Sequence, residues 1–344
     1  MQQLKKHMKS ILIGTALICF ILYPEPVKSG ALDGINLCIK TLIPSLFPFM
    51  VLTSALLKTA RTIPGPLAAS FRKVCGIPNG MENIFLISLL GGYPVGAKLI
   101  SQAYKSKSLN KSIAQRMLGF CNNAGPAFIF GVIGSMFSSP WIPTAIWLIH
   151  IITAIITGCL LPKTDNISIR KLTDINSSSS TLIEQSVQTM GIICGWVILF
   201  RILISYITTF IPATVSPEST VIIAGILELS NGCIQLEQIN DPAMRFIICN
   251  LIVSFGGFCV AMQTASVVKE IGLGYYFPGK LLQTTLSVIF AFLLQHIFFP
   301  RTVSISYALY PIFTFCTIMM LIRRKYIKKV VDFTDMIEYN ANNR

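Results

Sequence analysis

Four apolar segments of this chain are each interrupted by residues that break helices. The interruptions are Gly91-Gly92-Tyr93-Pro94, Asn122-Asn123-Ala124-Gly125-Pro126, Glu228-Leu229-Ser230-Asn231-Gly232 and Phe255-Gly256-Gly257-Phe258. Irregular backbone at membrane depth is tolerated only where it is buried in protein or lines a cavity, because lipid offers no hydrogen-bond partners. Interrupted hydrophobic segments at corresponding places in two halves of a chain are typical of a transporter's binding site. The pattern predicts a carrier.

The composition is that of a polytopic membrane protein. Of the 344 residues, 53% are hydrophobic and 12% are charged, whereas soluble domains carry about 25% charged residues. The formal net charge is +14, but the basic residues lie at the ends of apolar runs, as the positive-inside rule describes. No basic stripe with interleaved aromatic residues is present. The sequence therefore predicts the lipid bilayer, and no nucleic acid, as a partner.

The lengths of the apolar runs predict an all-α fold of about eight membrane spans plus two re-entrant helical hairpins. The predicted spans are residues 11–23, 36–57, 113–137, 141–161, 187–211, 243–268, 280–299 and 303–322, and the predicted hairpins are residues 83–104 and 220–239. The first run follows a basic segment and lacks a convincing cleavage site, so we expect an uncleaved signal anchor.

The basic residues set the predicted orientation. With the N-terminus in the cytoplasm, most of the 28 lysines and arginines fall on cytoplasmic segments, including Lys98, Lys105, Arg116 and Lys280. Cytoplasmic loops of membrane proteins are enriched in these residues. We therefore expect both termini in the cytoplasm, with the first hairpin entering from the cytoplasm and the second from outside.

The chain then consists of two units in opposite orientation. Each unit contains a span, a hairpin, a broken span and a second span. Ile133-Gly134 recurs as Ile271-Gly272, and Pro162 recurs as Pro300 at the same offset. Such inverted repeats support alternating access around a central site. The predicted units are a signal anchor in residues 1–35, a first repeat in 36–162, a cytoplasmic linker in 163–186, a second repeat in 187–300, and a C-terminal helix with a basic tail in 301–344.

The turn of the first hairpin, Gly91-Gly92-Tyr93-Pro94, is a candidate anion site. Glycines let two half-helices meet with exposed backbone N–H groups, which favour an anion at a helix N-terminus. We expect Tyr93 to stack on a planar ring or to hydrogen-bond a carboxylate, and Lys98 to neutralise the ligand. The alternative is a tight turn between packed helices, with Lys98 extending to the cytoplasmic surface.

The two broken spans add polar candidates. Proline in the first break frees a backbone carbonyl four residues earlier, which asparagine side chains can satisfy, or they can coordinate substrate or a cation. Simple kinking is the alternative for the first break, and close helix packing through small residues is the alternative for the second. The candidate ligands in these spans are Asn122, Asn123, Gly256, Gly257, Gln263 and Thr264.

Glu228 is the carboxylate that lies deepest in an apolar stretch. Ionisable groups within the membrane are functional candidates, because a charge there is costly. We expect Glu228 to carry a coupling proton, to bind a cation, or to hydrogen-bond a substrate hydroxyl, with Ser230 and Asn231 beside it. The alternative is a neutral glutamic acid that caps the half-helix after the break.

No catalytic or metal-binding motif accompanies these residues. The ten cysteines contain no CxxC pair, and the three histidines are far apart in sequence, which argues against a zinc site or a disulfide framework. HExxH, GxSxG and GxxxxGK[ST] motifs do not occur. The sequence therefore predicts no enzyme, no metal site and no cofactor, apart from a coupling proton or sodium ion.

The phrases around the four interruptions resemble the nucleoside-transporter gate-domain family. They are GGYPVGAK (91–98), GFCNNAGPAFIFGVIG (119–134), LELSNG (227–232) and FGGFCVAMQT (255–264). Within that family the likeness is to sporulation integral membrane proteins of the YlbJ type, over residues 35–325. The resemblance implies a fold like that of concentrative nucleoside transporters, in which hairpin turns and broken helices form a mobile substrate domain against a scaffold.

The resemblance also implies a substrate. The sporulation branch is associated with moving dipicolinic acid, a planar pyridine with two carboxylates, across the outer forespore membrane. Glu228 matches an acid of nucleoside carriers, but the first hairpin turn lacks their polar side chains and Cys259-Val260-Ala261-Met262 stands where they have an Asn/Ser pattern. We therefore expect a secondary transporter or facilitator of a small organic anion, with a homo-oligomeric scaffold. The alternatives are a nucleoside or nucleobase carrier and a non-transporting sporulation scaffold.

Overall fold

The protein is all-helical in the residues that the structure, a computed structural model, describes, namely 2–59, 66–163, 179–210 and 214–299. The predicted helical class is therefore confirmed. The helices are α1 (Gln2–Leu22), α2 (Pro24–Leu37), α3 (Ile43–Thr59), α4 (Pro66–Cys75), α5 (Glu82–Gly91), α6 (Val95–Lys105), α7 (Lys111–Leu118), α8 (Pro126–Gly131), α9 (Trp141–Leu160), α10 (Ser179–Phe210), α11 (Pro217–Leu227), α12 (Leu229–Gln235), α13 (Pro242–Phe255), α14 (Gly257–Val267) and α15 (Tyr276–Phe298), with a π-helical turn at Cys38–Leu42 and 3-10 turns at Ile133–Met136 and Leu236–Gln238. The predicted span 303–322 and most of the linker 163–186 lie outside the described residues.

Five helical segments of the described chain are long and apolar enough to cross a membrane. They are Pro24–Thr53, Trp141–Leu160, Leu182–Phe210, Pro242–Val267 and Tyr276–Phe298. The first begins before the predicted span 36–57, because α2 runs through the π-helical turn into α3. The predicted boundary at residue 35 therefore falls within a continuous helix.

The first predicted span, residues 11–23, lies almost wholly within α1 (Gln2–Leu22). Its 13 residues are fewer than the roughly 20 that a bilayer helix needs. The total of about eight spans stays a prediction.

The two predicted hairpins are pairs of short helices. α5 and α6 pack against each other on either side of Gly92-Tyr93-Pro94, and α11 and α12 do the same around Glu228. Residues 119–125 separate α7 from α8, and α13 ends at Gly256, whose backbone is left-handed with φ of +81°. Glycine adopts this conformation without the penalty that a Cβ brings. All four predicted interruptions are thus breaks between helices.

Each hairpin packs against the broken helix that follows it, backbone to backbone. A Cβ added to Gly125 would lie 2.8 Å from the Gly92 nitrogen. A Cβ added to Gly257 would lie 3.1 Å from the Gly225 carbonyl oxygen and 3.2 Å from the Leu229 nitrogen. Small residues permit such close approach between membrane helices. The shared arrangement is what a repeat of two units requires, and the inversion of one unit relative to the other stays a prediction.

Long helices surround these elements. α9, α13 and α15 pack against one another, and α2 packs along α10. The contact between α2 and α10 depends on small residues, since a Cβ on Gly30 would lie 2.8 Å from Ile202 Cα and one on Gly34 would lie 2.9 Å from Ile198 Cα. Large apolar side chains such as Leu293 remain on the outside, as expected of helices that face lipid.

Two basic residues that the sequence placed on cytoplasmic segments are buried. Lys280 in α15 is 0% exposed, and Arg116 in α7 is 1% exposed. The Arg116 guanidinium donates to the carbonyl oxygens of Cys75, Gly76, Gly158, Leu161 and Pro162. Their polar groups are satisfied within the protein and not by water or lipid headgroups, and the side of the membrane on which the two residues lie stays a prediction.

Candidate substrate site at the helix breaks

A small cavity of about 40 Å³ lies where three of the helix interruptions meet α14, the helix that follows the fourth. Its wall takes residues from these three interruptions, namely Gly92, Tyr93, Gly125, Glu228 and Ser230, and Gln263 from α14. Apolar side chains from α3 and α10, including Leu46 and Val197, complete the wall. Ligand pockets are typically apolar, with a few polar groups that fix the orientation of the ligand. The structure thus joins in one cavity the segments that the sequence indicated separately.

Tyr93 links the first hairpin to the second half of the chain. Its hydroxyl donates to the Val253 carbonyl oxygen at 3.3 Å and accepts from Lys280 Nζ at 3.1 Å. Gly256 leaves room for the ring, because a Cβ there would lie 3.1 Å from the tyrosine hydroxyl. Tyr93 therefore lies on the cavity wall while its hydroxyl is engaged with the protein.

Asn122 and Asn123 support the first break from behind the wall. Asn122 Nδ2 donates to Thr264 Oγ1 at 2.9 Å, and Asn123 Nδ2 donates to the Phe120 carbonyl oxygen at 2.7 Å. Thr264 in turn donates to the Val260 carbonyl oxygen. Both asparagines are 0% exposed, and the Asn122–Thr264 bond joins the two broken helices. In this conformation neither side chain is available to a ligand in the cavity.

Glu228 lines the cavity and also caps α12. Its carboxylate oxygens accept from the backbone N–H groups of Ser230 at 3.0 Å and Asn231 at 2.7 Å, which is the ordinary role of an N-cap side chain. The Asn231 side chain accepts from Arg201, which pairs with Asp33 at 2.8 Å. The capping role that was the alternative for Glu228 is present, at a position that also reaches the cavity.

The other predicted site residues lie off the wall. Gly91 and Pro94 are buried on either side of the hairpin turn, and Gly257 packs against the second hairpin. Lys98 is half-buried on α6, and its Nζ lies 3.5 Å from Thr189 Oγ1 on α10. Lys98 is therefore not in contact with the cavity in this conformation.

A polar network behind Tyr93 was not predicted from the sequence. Lys280 Nζ donates to Gln283 Oε1 at 2.9 Å, and Gln283 Nε2 donates to Asn123 Oδ1 at 3.1 Å and to the His150 carbonyl oxygen at 3.3 Å. His150 Nε2 accepts from the backbone N–H of Ala124 at 3.0 Å. The network connects α9 and α15 to the first hairpin and the first break.

The sequence did contain a signal for this network. Polar residues recur along α15 with helical spacing inside an otherwise apolar helix, which indicates a polar face turned towards the protein. The buried members of this face are Lys280, Gln283, Ser287 and Gln295. Treating Lys280 as the cytoplasmic end of a span concealed the pattern.

The charges near the cavity are few. Glu228 lies on the wall, and Lys280 reaches the wall through Tyr93. Within the described ranges, no group of three or more His, Cys, Asp or Glu residues is placed to hold a metal ion. The arrangement suits the reversible binding of a small polar molecule, with the acid Glu228 on the wall.

A comparison with curated proteins finds a distant relative. The chain is 21% identical over 321 residues to "sporulation integral membrane protein YlbJ" of Bacillus subtilis (strain 168), and the match covers 80% of this chain and 79% of that protein. This chain is an integral membrane protein. The match supports a relationship to proteins of the YlbJ type. No protein-family model and no solved structure matches the chain, so the nucleoside-transporter gate domain stays a prediction.

Proposed function

We propose that this protein is a secondary transporter or facilitator of a small organic anion, and that the anion is dipicolinic acid crossing the outer forespore membrane during sporulation. The observation that carries the proposal is that both hairpins and both broken helices contribute residues to one cavity. Discontinuous helices around a central site are the hallmark of carriers. The sporulation context comes from the name of the relative, and the identity of the anion comes from the family resemblance.

The proposed mechanism uses the division between short and long helices. The hairpins and broken helices move the cavity between the two faces of the membrane, while the long helices remain fixed, as in carriers built from repeats. The turn at Gly92 and the acid Glu228 then contact substrate, and both termini lie in the cytoplasm. We propose a carrier and not an enzyme, with the bilayer and further copies of this chain as its partners.

An acid on the wall is compatible with an anionic substrate because of its hydrogen bonds. The Glu228 carboxylate accepts two backbone N–H bonds from the start of α12, and the positive end of a helix partly offsets a negative charge. The Tyr93 ring supplies a flat surface suited to a planar aromatic acid.

A nucleoside is the second candidate, and Glu228 is the observation that favours it. A carboxylate oxygen on the wall is the acceptor that a sugar hydroxyl requires. The two substrates differ in charge, so a single competition experiment separates them.

The test is uptake of labelled dipicolinate into proteoliposomes that contain the purified full-length chain, with labelled uridine in parallel. We expect saturable dipicolinate uptake that excess uridine does not reduce. Glu228→Gln, which keeps one of the two acceptors that cap α12, should lower the rate at least tenfold in a variant whose melting in detergent shows that it is still folded. The exposed Lys105 on α6 provides the control variant Lys105→Met, which should transport normally.

The other outcomes are equally informative. Uridine uptake that dipicolinate does not inhibit would establish the nucleoside carrier. Failure of a folded protein to move either compound would contradict the carrier proposal and leave the sporulation scaffold as the better account.

A further inference from the structure

Lys280 is a fully buried base without an acidic partner in the described part of the chain. Its side chain is 0% exposed, and the ion pairs found among the described residues do not include it. An isolated charge in a protein interior is costly unless it is hydrogen-bonded or neutralised. A neutral residue could make a purely structural polar contact at this place. A basic side chain here therefore indicates a function in which its proton takes part.

The contacts of Lys280 connect it directly to the candidate site. Its Nζ donates to Tyr93 Oη at 3.1 Å and to Gln283 Oε1 at 2.9 Å, and it lies 5.0 Å from the centre of the Tyr93 ring. Tyr93 lines the cavity at the turn of the first hairpin. The preceding residue on the helix, Gly279, packs so closely that a Cβ there would lie 2.1 Å from the Gly119 carbonyl oxygen. Any change at Lys280 therefore acts on moving parts of the proposed carrier.

We propose that Lys280 is the proton-binding site that couples this carrier to a pH difference across the membrane. The proposal rests on the proposed function, since coupling needs a carried substrate. Lys280 is protonated when the first hairpin is packed as in this structure, and it releases the proton to solvent in the cavity when the hairpin moves.

The charge on Lys280 determines how strongly it holds the first hairpin. An ammonium group donates charge-assisted hydrogen bonds to Tyr93 Oη and Gln283 Oε1, which are stronger than neutral ones, and it is attracted to the face of the Tyr93 ring. A neutral amine keeps N–H donors for the same two acceptors, but it loses the charge assistance and the attraction to the ring. Only Lys280 changes charge in this step, and the proton it loses enters the solvent. Deprotonation thus weakens the contact between the first hairpin and α15.

The histidine of the network is less suited to this task. His150 Nε2 already accepts the backbone N–H of Ala124 at 3.0 Å, and its Nδ1 lies 3.4 Å from Ser254 Oγ. A second proton on the ring would displace the Ala124 bond and leave a backbone N–H unpaired in the break. His150 therefore serves to satisfy the broken helix.

Among the described residues, Cys121 in the first break and Tyr276 on α15 are further titratable groups near this contact, and neither is a base. Glu228 shares the cavity, but its oxygens are occupied by the backbone of α12. Lys280 is thus the group whose gain or loss of a proton rearranges the hairpin contact.

The experiment compares two modes of transport in proteoliposomes that contain the full chain. The first is accumulation of labelled dipicolinate driven by an imposed pH difference, with the membrane potential clamped to zero by valinomycin and potassium. The second is exchange of internal for external dipicolinate at equal pH, which needs no net proton movement. The variant is Lys280→Met, and the control is Lys105→Met, in which an exposed lysine paired with the exposed Glu270 is removed. Uridine replaces dipicolinate in both assays if uridine is the compound carried.

We expect the wild-type protein and Lys105→Met to accumulate substrate several-fold when the pH differs across the membrane. Lys280→Met should lose this accumulation and retain exchange at equal pH. Tyr93→Phe should also lower accumulation, because it removes the hydroxyl that accepts the hydrogen bond from Lys280.

Several results would overturn the inference. Accumulation by Lys280→Met equal to that of the wild type would exclude Lys280 as the coupling site, and loss of both modes in a folded Lys280→Met would assign it a structural role. If Lys280→Met does not fold, Lys280→Gln replaces it in both assays. In addition, a pH indicator in detergent measures whether the wild-type protein takes up protons when dipicolinate is added. Absence of this proton uptake would overturn the proposal. Exchange without any response of the wild type to pH would overturn coupling but leave the carrier intact, whereas absence of exchange would overturn the carrier itself.

Discussion

His150, Glu228 and Arg116 share one task, which is to satisfy backbone groups where helices end or break. His150 accepts an N–H of the first break, Glu228 accepts two at the second hairpin, and Arg116 donates to a ring of carbonyl oxygens at helix ends. Helix termini leave such groups without intrahelical partners, and lipid cannot replace them. Buried polar side chains are therefore the condition for having broken helices at all.

Arg116 provides a direct test of this argument. Arg116→Met should destabilise the protein by several kcal/mol, because each buried carbonyl left without a donor costs about 1–3 kcal/mol. Arg116→Lys should recover part of the loss, since an ammonium still donates but cannot span acceptors as widely as a guanidinium. Thermal unfolding in detergent measures both, with Lys105→Met as the matched removal of an exposed charge. Equal stability of Arg116→Met and the control would contradict the structural role.

At the scale of elements, glycines decide how the hairpins meet the broken helices. Gly92 has φ of +72°, and a Cβ on it would lie 3.0 Å from the Gly125 nitrogen. Gly257 has φ of +80° and a similarly crowded site. Both the backbone conformation and the packing therefore oppose a side chain at these two positions.

Gly92→Ala and Gly257→Ala should each destabilise the protein by at least about 1 kcal/mol and lower transport, because the hairpin must shift to accommodate the methyl group. Gly191→Ala on α10 is the control. A Cβ there meets nothing within 4 Å, and alanine is favoured over glycine inside a helix by about 1 kcal/mol. The measurements are melting temperature and dipicolinate uptake. Tolerance of alanine at both Gly92 and Gly257 would show that the close packing is dispensable.

The helix breaks show which parts of the fold could be predicted from the sequence. Helix-breaking residues inside apolar runs located the hairpin turns and breaks, because their effect on the backbone is local. The partners of Lys280 and Arg116 could not be predicted in this way. A basic residue at the end of an apolar run gives the same sequence pattern whether its side chain faces lipid headgroups or a buried carbonyl oxygen. Lys98 illustrates the same limit: its sequence position beside the turn predicted contact with a ligand, and packing against α10 holds it away from the cavity.

For the whole molecule, the cavity is the point at which the two halves of the chain depend on each other. Each half contributes one hairpin and one broken helix to the same wall, and Tyr93 of the first half bonds Val253 and Lys280 of the second. A cavity whose wall is shared equally between two units can open to either face of the membrane when one unit rocks against the other. This requires the two hairpins to enter from opposite faces of the membrane, which the charge distribution predicts.

The orientation of the hairpins is testable by cysteine labelling. We expect Glu237→Cys, beyond the second hairpin, to react with a membrane-impermeant maleimide in intact cells of a bacterial expression host, since residue 237 is exposed and predicted to lie outside. Lys105→Cys, at the end of the first hairpin, should react only after the membrane is permeabilised, because it is 61% exposed and predicted to be cytoplasmic. The unmodified protein, with its native cysteines, gives the background. Labelling of both positions from the same side would show that the repeats are parallel, and rocking between two inverted units would then no longer account for the cavity.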